Sequence, residues 1–551
     1  MLSLSLTYKI HRMVDGSITS SARKSLSDQQ SPWIVWLLPS TADLIFIVLI
    51  FSLCFTAFAT KLLNDAGVGW HIRTGQLILS THHIPRVDPF SSIMAGKPWV
   101  AWEWLYDVPI AALHSKLGLN GVVWFNALFV AAAFSCTFRL AVKRGTNLFA
   151  AIVLVLLAIS ASMIHLLARP HVVTWFFVVM WFSILDSSER ESFAGKLNSK
   201  TRYLWLLPIS MVVWVNVHGG FPLGLVLCAV FWIGAFRAWR TAQGIGFEDS
   251  FRKIALGRRV RSLSWITALC AAATLVNPYG WHLHEHIVSY LSNSFFMEHI
   301  EEFQSPNFHF PAQKCFLALV LLTLAVVAIR RRSLNVSEGL LVLLAISSGL
   351  YASRNLPVAS ILLVLIVGPL LPALGAISNL TERMSRVDAN LKGHVWSILA
   401  VIFVLLVDLN GGRIAGKLLA DAHFDPNRMP VAAVDYLESR GIHQPVLSPD
   451  YWGGYLIYRL YPKAKVVIDD RHDLYGEDVM ASYLKIVRPQ PGWDDFLRDH
   501  NVSCVMMPTS AQITAMLKAS PEWKSIYSDN VAVIFEKSVS GPGAVDHSQK
   551  P

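Results

Sequence analysis

Charge is scarce in this sequence. Only 15% of its 551 residues are Asp, Glu, Lys or Arg, whereas 54% are hydrophobic, and the mean hydropathy is +0.45. Soluble globular domains carry about 25% charged residues, so the composition excludes that class. The sequence is that of a polytopic membrane protein.

Cysteine is also scarce, and its distribution excludes a disulfide framework that could be deduced from spacing. Of the six cysteines, only Cys504 lies in a polar region; the others fall within or beside apolar runs, at Cys54, Cys136, Cys228, Cys270 and Cys315. The N-terminal stretch lacks a small-residue cleavage site ahead of the first apolar run. Residues 1–40 are therefore predicted to be a cytoplasmic leader before a retained anchor.

Long apolar runs are abundant, and each run of about 17 to 22 residues predicts a membrane span. Together they predict eleven transmembrane helices within residues 41–410, at 41–62, 120–141, 147–167, 171–187, 203–217, 220–239, 263–278, 313–329, 337–352, 356–377 and 393–409.

Positive charge is concentrated in alternate connections. One set of connections holds Lys143, Arg144, Arg190, Lys196, Lys200, Arg202, Arg252, Lys253, Arg258, Arg259, Arg261, Arg330, Arg331, Arg332, Arg383, Arg386 and Lys392, and the leader adds Lys9, Arg12, Arg23 and Lys24. By the positive-inside rule these connections and the N-terminus face the cytoplasm of a cell (inner or plasma) membrane. The net charge of +10 is thus explained by topology, and nucleic acid is not expected as a partner.

An odd number of spans places the C-terminal segment, from about residue 411 onward, outside the cytoplasm. In this segment MPVAAVDYLESRG, ASYLKIV and WDDFLRDH have helical patterns, whereas KVVIDD, VSCVMMP and VAVIFEK have strand patterns. The alternation predicts an extracytoplasmic α/β domain over 424–536. Residues 537–551 are predicted to be a disordered tail.

The first long loop, residues 63–104, is predicted to lie on the outer face. It carries Asp65, His71, Arg73, Arg86, Asp88 and Glu103, interleaved with Trp70, Trp99, Trp102 and Trp104. TGQLILSTH and AWEWLYDVPIAALHSKLG have partly helical apolar spacing but are too short or too polar to span, which predicts interfacial helices. Structural interpretations are that Asp65 caps such a helix and that Arg73 reaches the headgroups.

Other polar groups on the same face come from short turns and from the second long loop, residues 277–312. The turns supply Arg169, His171, Asn216, His218 and Arg354. In the second long loop, His282 and His286 have a spacing compatible with metal ligands, with His284 between them. Interfacial histidines are common, however, and an H-E-x-x-H motif is absent, so the sequence leaves metal dependence open, with a divalent metal compatible.

The ordered set DAGVGWHIRTGQLIL, IPRVDPFSS, KPWVAWEWL, NVHGGFPLG, NPYG, EEFQSP and YWGGYLIYRLYPKAKVVIDDRHDLYG spans most of residues 60–536. The chain thereby resembles the integral-membrane glycosyltransferases of the GT-C type, which include oligosaccharyltransferase catalytic subunits, protein O-mannosyltransferases and lipid A aminoarabinose transferases. It resembles most a largely uncharacterised bacterial group of GT-C-like proteins. Asp65, Trp70 and Arg73 match the order of an acid, an aromatic and an arginine in oligosaccharyltransferases. SPDYWGGYLIY is similar to the WWDYG motif of those subunits but differs in residue order.

The resemblance implies inverting transfer of a sugar from a polyprenyl-phosphate donor to a glycan, lipid or protein acceptor. It makes Asp65 the expected general base, with Asp88 and Glu103 as further acids that orient the acceptor, a metal or His71. Arg73, Arg354, Arg169 and His218 are the expected lipid-phosphate ligands. The aromatics of KPWVAWEW, among them Trp102, would line the sugar or prenyl site.

Two other functions fit the same sequence features. A transporter or flippase for lipid-linked glycans also has many spans, although its binding groups usually lie at midplane and its halves often repeat. A non-catalytic membrane scaffold would use the outer domain to bind a partner. Convergence of Asp65, Asp88, Glu103 and the arginines on one cavity would favour the enzyme, and scatter of these residues would favour the scaffold.

Overall fold

The computed structural model of the chain describes residues 32–196, 201–243, 246–329, 334–371 and 378–538. Some sequence-based predictions lie outside the described residues. These are the basic residues of the leader, Lys200, the arginines of 330–332 and the predicted tail from residue 539 onward.

The described chain is mostly helical, and six helices are long and apolar enough to cross a membrane, which makes this a multi-pass membrane protein. They are Val35–Phe55, Trp104–Lys143, His171–Phe193, Pro222–Thr241, Pro311–Ile329 and Ser353–Leu370. A pair bent by 63°, Leu380–Asn390 and Val395–Leu409, would make a seventh span. Three shorter apolar helices are Leu148–Ala161, Arg202–Val217 and Val336–Tyr351.

The predicted number of eleven spans is not confirmed, because several predicted spans fall on helices that do not reach spanning length or apolarity. The helix Leu148–Ala161 has 14 residues, which at 1.5 Å per residue gives only about 21 Å. The helix Phe247–Ala273 is longer, at 27 residues, but several charges lie between its start and its middle, among them Arg258, Arg259 and Arg261. An apolar run in the sequence therefore indicates a buried or lipid-facing helix. Whether that helix can span the membrane depends on the length of the helix that forms and on the charges it carries.

The first long loop contains one complete helix, Gly67–Thr81, and ends at the start of the helix Trp104–Lys143. The latter is two helices joined at Gly118, whose φ of 61° and ψ of −150° are open to glycine but not to other residues. Residues 104–117 therefore form a separate helix beside the membrane-length part. Between the two loop helices the chain doubles back, with an antiparallel bridge from Val87 to Pro98.

The C-terminal segment contains a four-stranded mixed sheet. Val446–Leu447 pairs parallel to Cys504–Pro508, which pairs antiparallel to Ala532–Lys537, and Trp523–Ser528 completes the sheet. The accompanying helices are Val431–Ser439, Asp450–Leu460, His472–Val487, Asp495–Asp499 and Gln512–Ala519. A small hairpin, Arg413–Ile414 with Lys417–Leu418, precedes them.

The remaining elements are short and lie mainly in the connections. They are the helices Phe58–Leu62, His282–Ser292 and Ser294–His299, and the 3-10 turns Met163–His165, Thr201–Trp205, Glu301–Phe303, Ser353–Asn355 and Gly368–Leu370. His282–Ser292, Ser294–His299 and Glu301–Phe303 all belong to the second long loop.

The first long loop and the C-terminal segment are packed together. Val466 makes parallel bridges both to Val446 of the sheet and to Ser91 of the loop, so the loop continues the sheet beyond its edge. Gly69 of the loop helix and Gly454 of the helix Asp450–Leu460 meet backbone to backbone, and a Cβ on Gly69 would overlap the Gly454 carbonyl. This contact brings residues of the C-terminal segment to the start of the loop helix.

Candidate active site

Asp65 lies in the turn that leads into the helix Gly67–Thr81. Its Oδ1 accepts the backbone N–H of Gly67 at 2.8 Å, which fixes the carboxylate at the helix N-terminus. The same oxygen accepts a hydrogen bond from Arg169 at 2.9 Å. Its side chain keeps 28% of its surface exposed, so the carboxylate is held in place and still accessible.

Arg169 joins the first long loop to the C-terminal segment. Its guanidinium donates to Asp65 and, at 3.0 Å, to Oδ2 of Asp470, and lies 5.7 Å from the centre of the Trp70 ring. Burial alone would lower the pKa of Arg169, but the adjacent Asp65 and Asp470 outweigh it and raise the pKa above its ordinary value. The guanidinium is therefore a permanent cation shared between two carboxylates.

Asp470 follows the Val466 bridge and reaches the site from the C-terminal segment. Its Oδ1 accepts a hydrogen bond from the indole Nε1 of Trp70 at 3.1 Å. Burial raises the pKa of Asp470 to about 6, and the charge of Arg169 opposes this effect. Asp470 therefore holds its proton to a higher pH than an ordinary aspartate does.

Glu103 is buried beside two imidazoles. Its carboxyl oxygens lie 3.7 Å from Nε2 of His71 and 4.0 Å from Nε2 of His218. On its far side, His71 contacts the buried carboxylate of Asp107 through Nδ1 at 2.6 Å. Burial raises the pKa of Glu103 to about 8 and lowers the pKa of His71 well below its ordinary value. Burial likewise lowers the pKa of His218.

The second long loop contributes Glu302, which pairs with Arg354 at 3.4 Å. The charges of Arg354 and other cationic neighbours lower the pKa of Glu302, whose side chain is 47% exposed. Arg354 also packs 4.5 Å from the Phe303 ring centre, and its charge lowers the pKa of Glu103. Since Arg354 keeps 31% of its side chain exposed, a guanidinium remains accessible close to Glu103.

An aromatic wall adjoins these charges. The Trp102 ring centre lies 4.8 Å from that of His286 and 6.5 Å from that of Tyr290. His286 Nε2 contacts Asp473 of the C-terminal segment at 3.0 Å. The Trp102 indole and Asp473 are both close enough to Glu103 to affect its pKa, so the aromatic wall and the charged groups form one polar cluster, which we call the recess.

Six of the nine side chains predicted from sequence are therefore brought to this recess, and a seventh forms its wall. The six are Asp65, His71, Glu103, Arg169, His218 and Arg354, and the seventh is Trp102.

Asp88 and Arg73 lie elsewhere, in contacts that hold the loop. Asp88 is 2% exposed and accepts hydrogen bonds from the Ser91 backbone and from Arg471 at 2.8 Å. The guanidinium of Arg73 donates to the Tyr458 carbonyl, with Nε at 2.8 Å, and packs on the Tyr458 ring. Asp88 is thus occupied by the backbone, the Ser91 hydroxyl and Arg471, and Arg73 is bound to the helix Asp450–Leu460 through Tyr458.

Sequence reasoning missed Asp107, Asp470 and Glu302. Asp107 lies four positions after Glu103, the spacing of one helix face, and this signal was present in EWLYD. Asp470 belongs to VIDDRHD, part of the resemblance, but its partner Trp70 is 400 positions away. Glu302 could be recognised only once the fold brought it to Arg354.

The histidines of the second long loop do not share a site. His282 pairs with Glu285, His284 contacts Thr274, and His286 contacts Asp473. Within the described ranges, no group of three or more His, Cys, Asp or Glu side chains is arranged to hold a metal ion. Where Asp65 and Asp470 approach each other, the guanidinium of Arg169 occupies the space between their oxygens, so the pair as arranged does not fit a cation.

No protein-family model matches the chain, and no curated protein sequence matches it. Among solved structures, the apo oligosaccharyltransferase of Archaeoglobus fulgidus is similar over 88% of this chain and 70% of its own, with 12% identity and a TM-score of 0.51. ArnT from Cupriavidus metallidurans bound to undecaprenyl phosphate is similar over 91% of this chain and 98% of its own, with 13% identity and a TM-score of 0.44. The likeness to the oligosaccharyltransferase confirms the GT-C-type fold expected from sequence and, at 12% identity, concerns the fold alone.

Proposed function

We propose that the chain is an inverting glycosyltransferase that moves a sugar from a polyprenyl-phosphate donor to an acceptor at the outer face of the membrane. The observation that carries the proposal is the accessible Asp65 carboxylate held at 2.9 Å from Arg169, in the recess that also contains Glu103 and Arg354. Sugar transfer from a lipid phosphate needs both a carboxylate and cationic groups. The GT-C-type fold is consistent with this chemistry.

Asp65 is proposed as the general base. The acceptor hydroxyl oxygen bonds to the anomeric carbon while Asp65 takes its proton, and the bond from that carbon to the phosphate oxygen breaks with the electron pair on the phosphate. Attack opposite the leaving phosphate inverts the anomeric configuration. Asp470, whose pKa burial raises to about 6, is the second carboxylate placed to take a proton there.

The leaving phosphate is proposed to bind Arg354, with Arg169 and His218 nearby. Arg354 is held by Glu302 and Phe303 and keeps accessible N–H groups, and a guanidinium can hold two phosphate oxygens at once. Arg169 supplies a second positive charge but is already shared by two carboxylates. Trp102 and its aromatic neighbours are proposed to contact the sugar or the prenyl chain.

The proposal includes a topology. The six long helices, the three shorter apolar helices, the apolar second half of Phe247–Ala273 and the helix Val395–Leu409 would together make eleven crossings. This topology puts the leader in the cytoplasm and the recess and C-terminal segment on the other side of a cell membrane. Short spans are tolerated where the bilayer thins or protein surrounds the helix.

A deletion strain tests the function directly. Mass spectrometry of envelope glycans and lipids should reveal one glycan or lipid product that lacks a single sugar, together with accumulation of a polyprenyl-phosphate sugar. Restoration of the product by the wild-type gene is the control. Unchanged glycans and lipids, or accumulation on the cytoplasmic leaflet of a complete lipid-linked glycan, would reject transfer, and the second result would favour a flippase.

A further inference from the structure

The imidazole of His71 has opposite environments at its two nitrogens. Nδ1 lies 2.6 Å from the carboxylate of Asp107, and both side chains are almost completely buried, at 0% and 1% exposure. An ionised Asp107 can only accept, which places the hydrogen on Nδ1 and the lone pair on Nε2. Burial raises the pKa of Asp107, and a protonated Asp107 would instead donate to Nδ1 and leave the hydrogen on Nε2. Nε2 has no hydrogen-bond partner among the described residues, which is unusual for a buried polar atom.

His218 presents the opposite tautomer to the same glutamate. Its Nδ1 accepts the backbone N–H of Gly220 at 3.0 Å, so Nε2 carries the hydrogen. With Asp107 ionised, Glu103 lies between a nitrogen that can accept, on His71, and a nitrogen that can donate, on His218. A neutral carboxylic acid satisfies both, because its O–H can donate to His71 while its carbonyl accepts from His218.

Resting on the proposed transferase function, we propose that Glu103 is a second acid–base group of the site and that His71, positioned by Asp107, exchanges a proton with it. In this step the O–H bond of Glu103 breaks and an N–H bond forms at Nε2 of His71. The resulting imidazolium is paired with the Asp107 carboxylate. A small side-chain movement would close the 3.7 Å separation to hydrogen-bond distance.

The surroundings favour a protonated Glu103 before substrate binds. Burial raises the pKa of Glu103 to about 8, and the Trp70 ring lies against the His71 ring, with the ring centres 3.6 Å apart and the planes tilted by 30°. The charged or titratable groups facing Glu103 and His71 come from every adjoining element: Asp107, Arg169, His171, His218, Arg354 and Asp473. A substrate that adds charge to this recess would shift the proton between Glu103 and His71.

Nitrogen-15 NMR of histidine-labelled full-length protein in lipid tests the relay without substrate. The His71 signal is identified by its loss in His71→Gln. It should show the Nδ1–H tautomer at neutral pH, and its Nε2 shift should change as Glu103 titrates above neutral pH. Glu103→Gln should abolish that change, whereas Glu285→Gln, at an exposed carboxyl beside His282, should leave it intact. Asp107→Asn should replace the single tautomer with a mixture.

An Nε2–H tautomer in the wild type, or a His71 titration that persists unchanged in Glu103→Gln, would overturn the relay. Because the readout needs no donor or acceptor, failure of the relay is distinguishable from failure of the transferase proposal. If the His71 signal behaves as expected but deletion of the gene changes no glycan or lipid, the transferase proposal is rejected and the relay remains a property of the fold.

Discussion

Three carboxylates in the recess are placed in different environments. Asp65 is accessible and paired with Arg169, Asp470 is more deeply placed with a pKa raised by burial to about 6, and Glu103 is buried with a pKa raised to about 8. Environments that separate the pKa values of neighbouring acids allow one to act as a base while another stays protonated. This separation is the residue-scale basis of the roles proposed for them.

Glu103 should make the protein less stable at high pH. Burial raises the folded-state pKa of Glu103 from 4.5 to about 8, so between these values the folded protein holds a proton that the unfolded chain releases. The contribution of this bound proton to the free energy of unfolding is complete below pH 4.5. It is lost as pH rises toward 8, with a slope of up to about 1.4 kcal/mol per pH unit. The thermal midpoint in detergent should therefore fall with pH more steeply in the wild type than in Glu103→Gln. Identical pH profiles would contradict a buried, neutral Glu103, and Glu285→Gln is the control.

The sequence predicted those site residues that stand out from their immediate neighbours in the chain. Asp65 and Glu103 stand out because they are acids among tryptophans in a loop that follows a span, and Arg169 because it is a cation in a short outer turn. Asp470 could not be paired with Arg169 from sequence, since 301 positions separate them. Asp88 and Arg73 have the right chemistry for a site, but Arg471 and the Tyr458 carbonyl, distant in sequence, bind them.

At the scale of elements, the recess depends on the packing of the loop helix Gly67–Thr81 against the helix Asp450–Leu460. Their close approach carries Asp470 to Trp70 and Arg169. A buried ion-pair group reinforces the contact, because Arg471 binds both Asp88 of the loop and Asp469. Removing one member of such a group leaves a buried charge uncompensated.

Gly69→Ala should loosen this contact. The added Cβ would overlap the Gly454 backbone, which cannot move away as a flexible side chain could, so we expect a loss of about 1–3 kcal/mol in stability and increased protease cleavage in residues 82–100. Gly339→Ala is the matched control, because a Cβ on that helical glycine meets open space and should be neutral or slightly stabilising. Equal proteolysis of the two variants would contradict the backbone contact.

The elements themselves were largely predictable, whereas their roles were less so. Apolar runs marked the helices, and the strand patterns of VSCVMMP and VAVIFEK mark two strands that pair with each other. The predicted strand KVVIDD is not formed: this stretch makes only isolated bridges at Val466, one of them to Ser91 of the first long loop, which local patterns cannot reveal. The span count could not be fixed from sequence, because helix length and the share of each helix facing protein both depend on packing.

At the scale of the whole molecule, the proposed eleven crossings place the two ends on opposite sides of the membrane. A periplasm-active reporter fused after residue 538 should be active, and the same reporter fused at the N-terminus should be inactive. A cytoplasm-active fluorescent reporter is the reciprocal control and should give the opposite pattern. Both ends on one side would contradict an odd number of crossings.

Among the described residues, most buried apolar side chains form one cluster that runs from the membrane helices into the C-terminal segment, and Val326, Val367 and Leu370 form a small second cluster. The recess lies where the first long loop, the turn at Arg169, the second long loop and the C-terminal segment meet. Its construction from distant parts of the chain explains why the fold must be complete before the site exists.

The most direct test of the central claim is envelope mass spectrometry of the deletion strain complemented with Asp65→Asn. Removing a general base costs on the order of 100-fold or more in rate, so the sugar-bearing product should stay absent although the variant is expressed at the wild-type level. Asp421→Asn, at a carboxylate whose side chain is 64% exposed and which pairs only with its neighbour His423 in the described structure, should restore the product fully. Full restoration by Asp65→Asn would contradict the account.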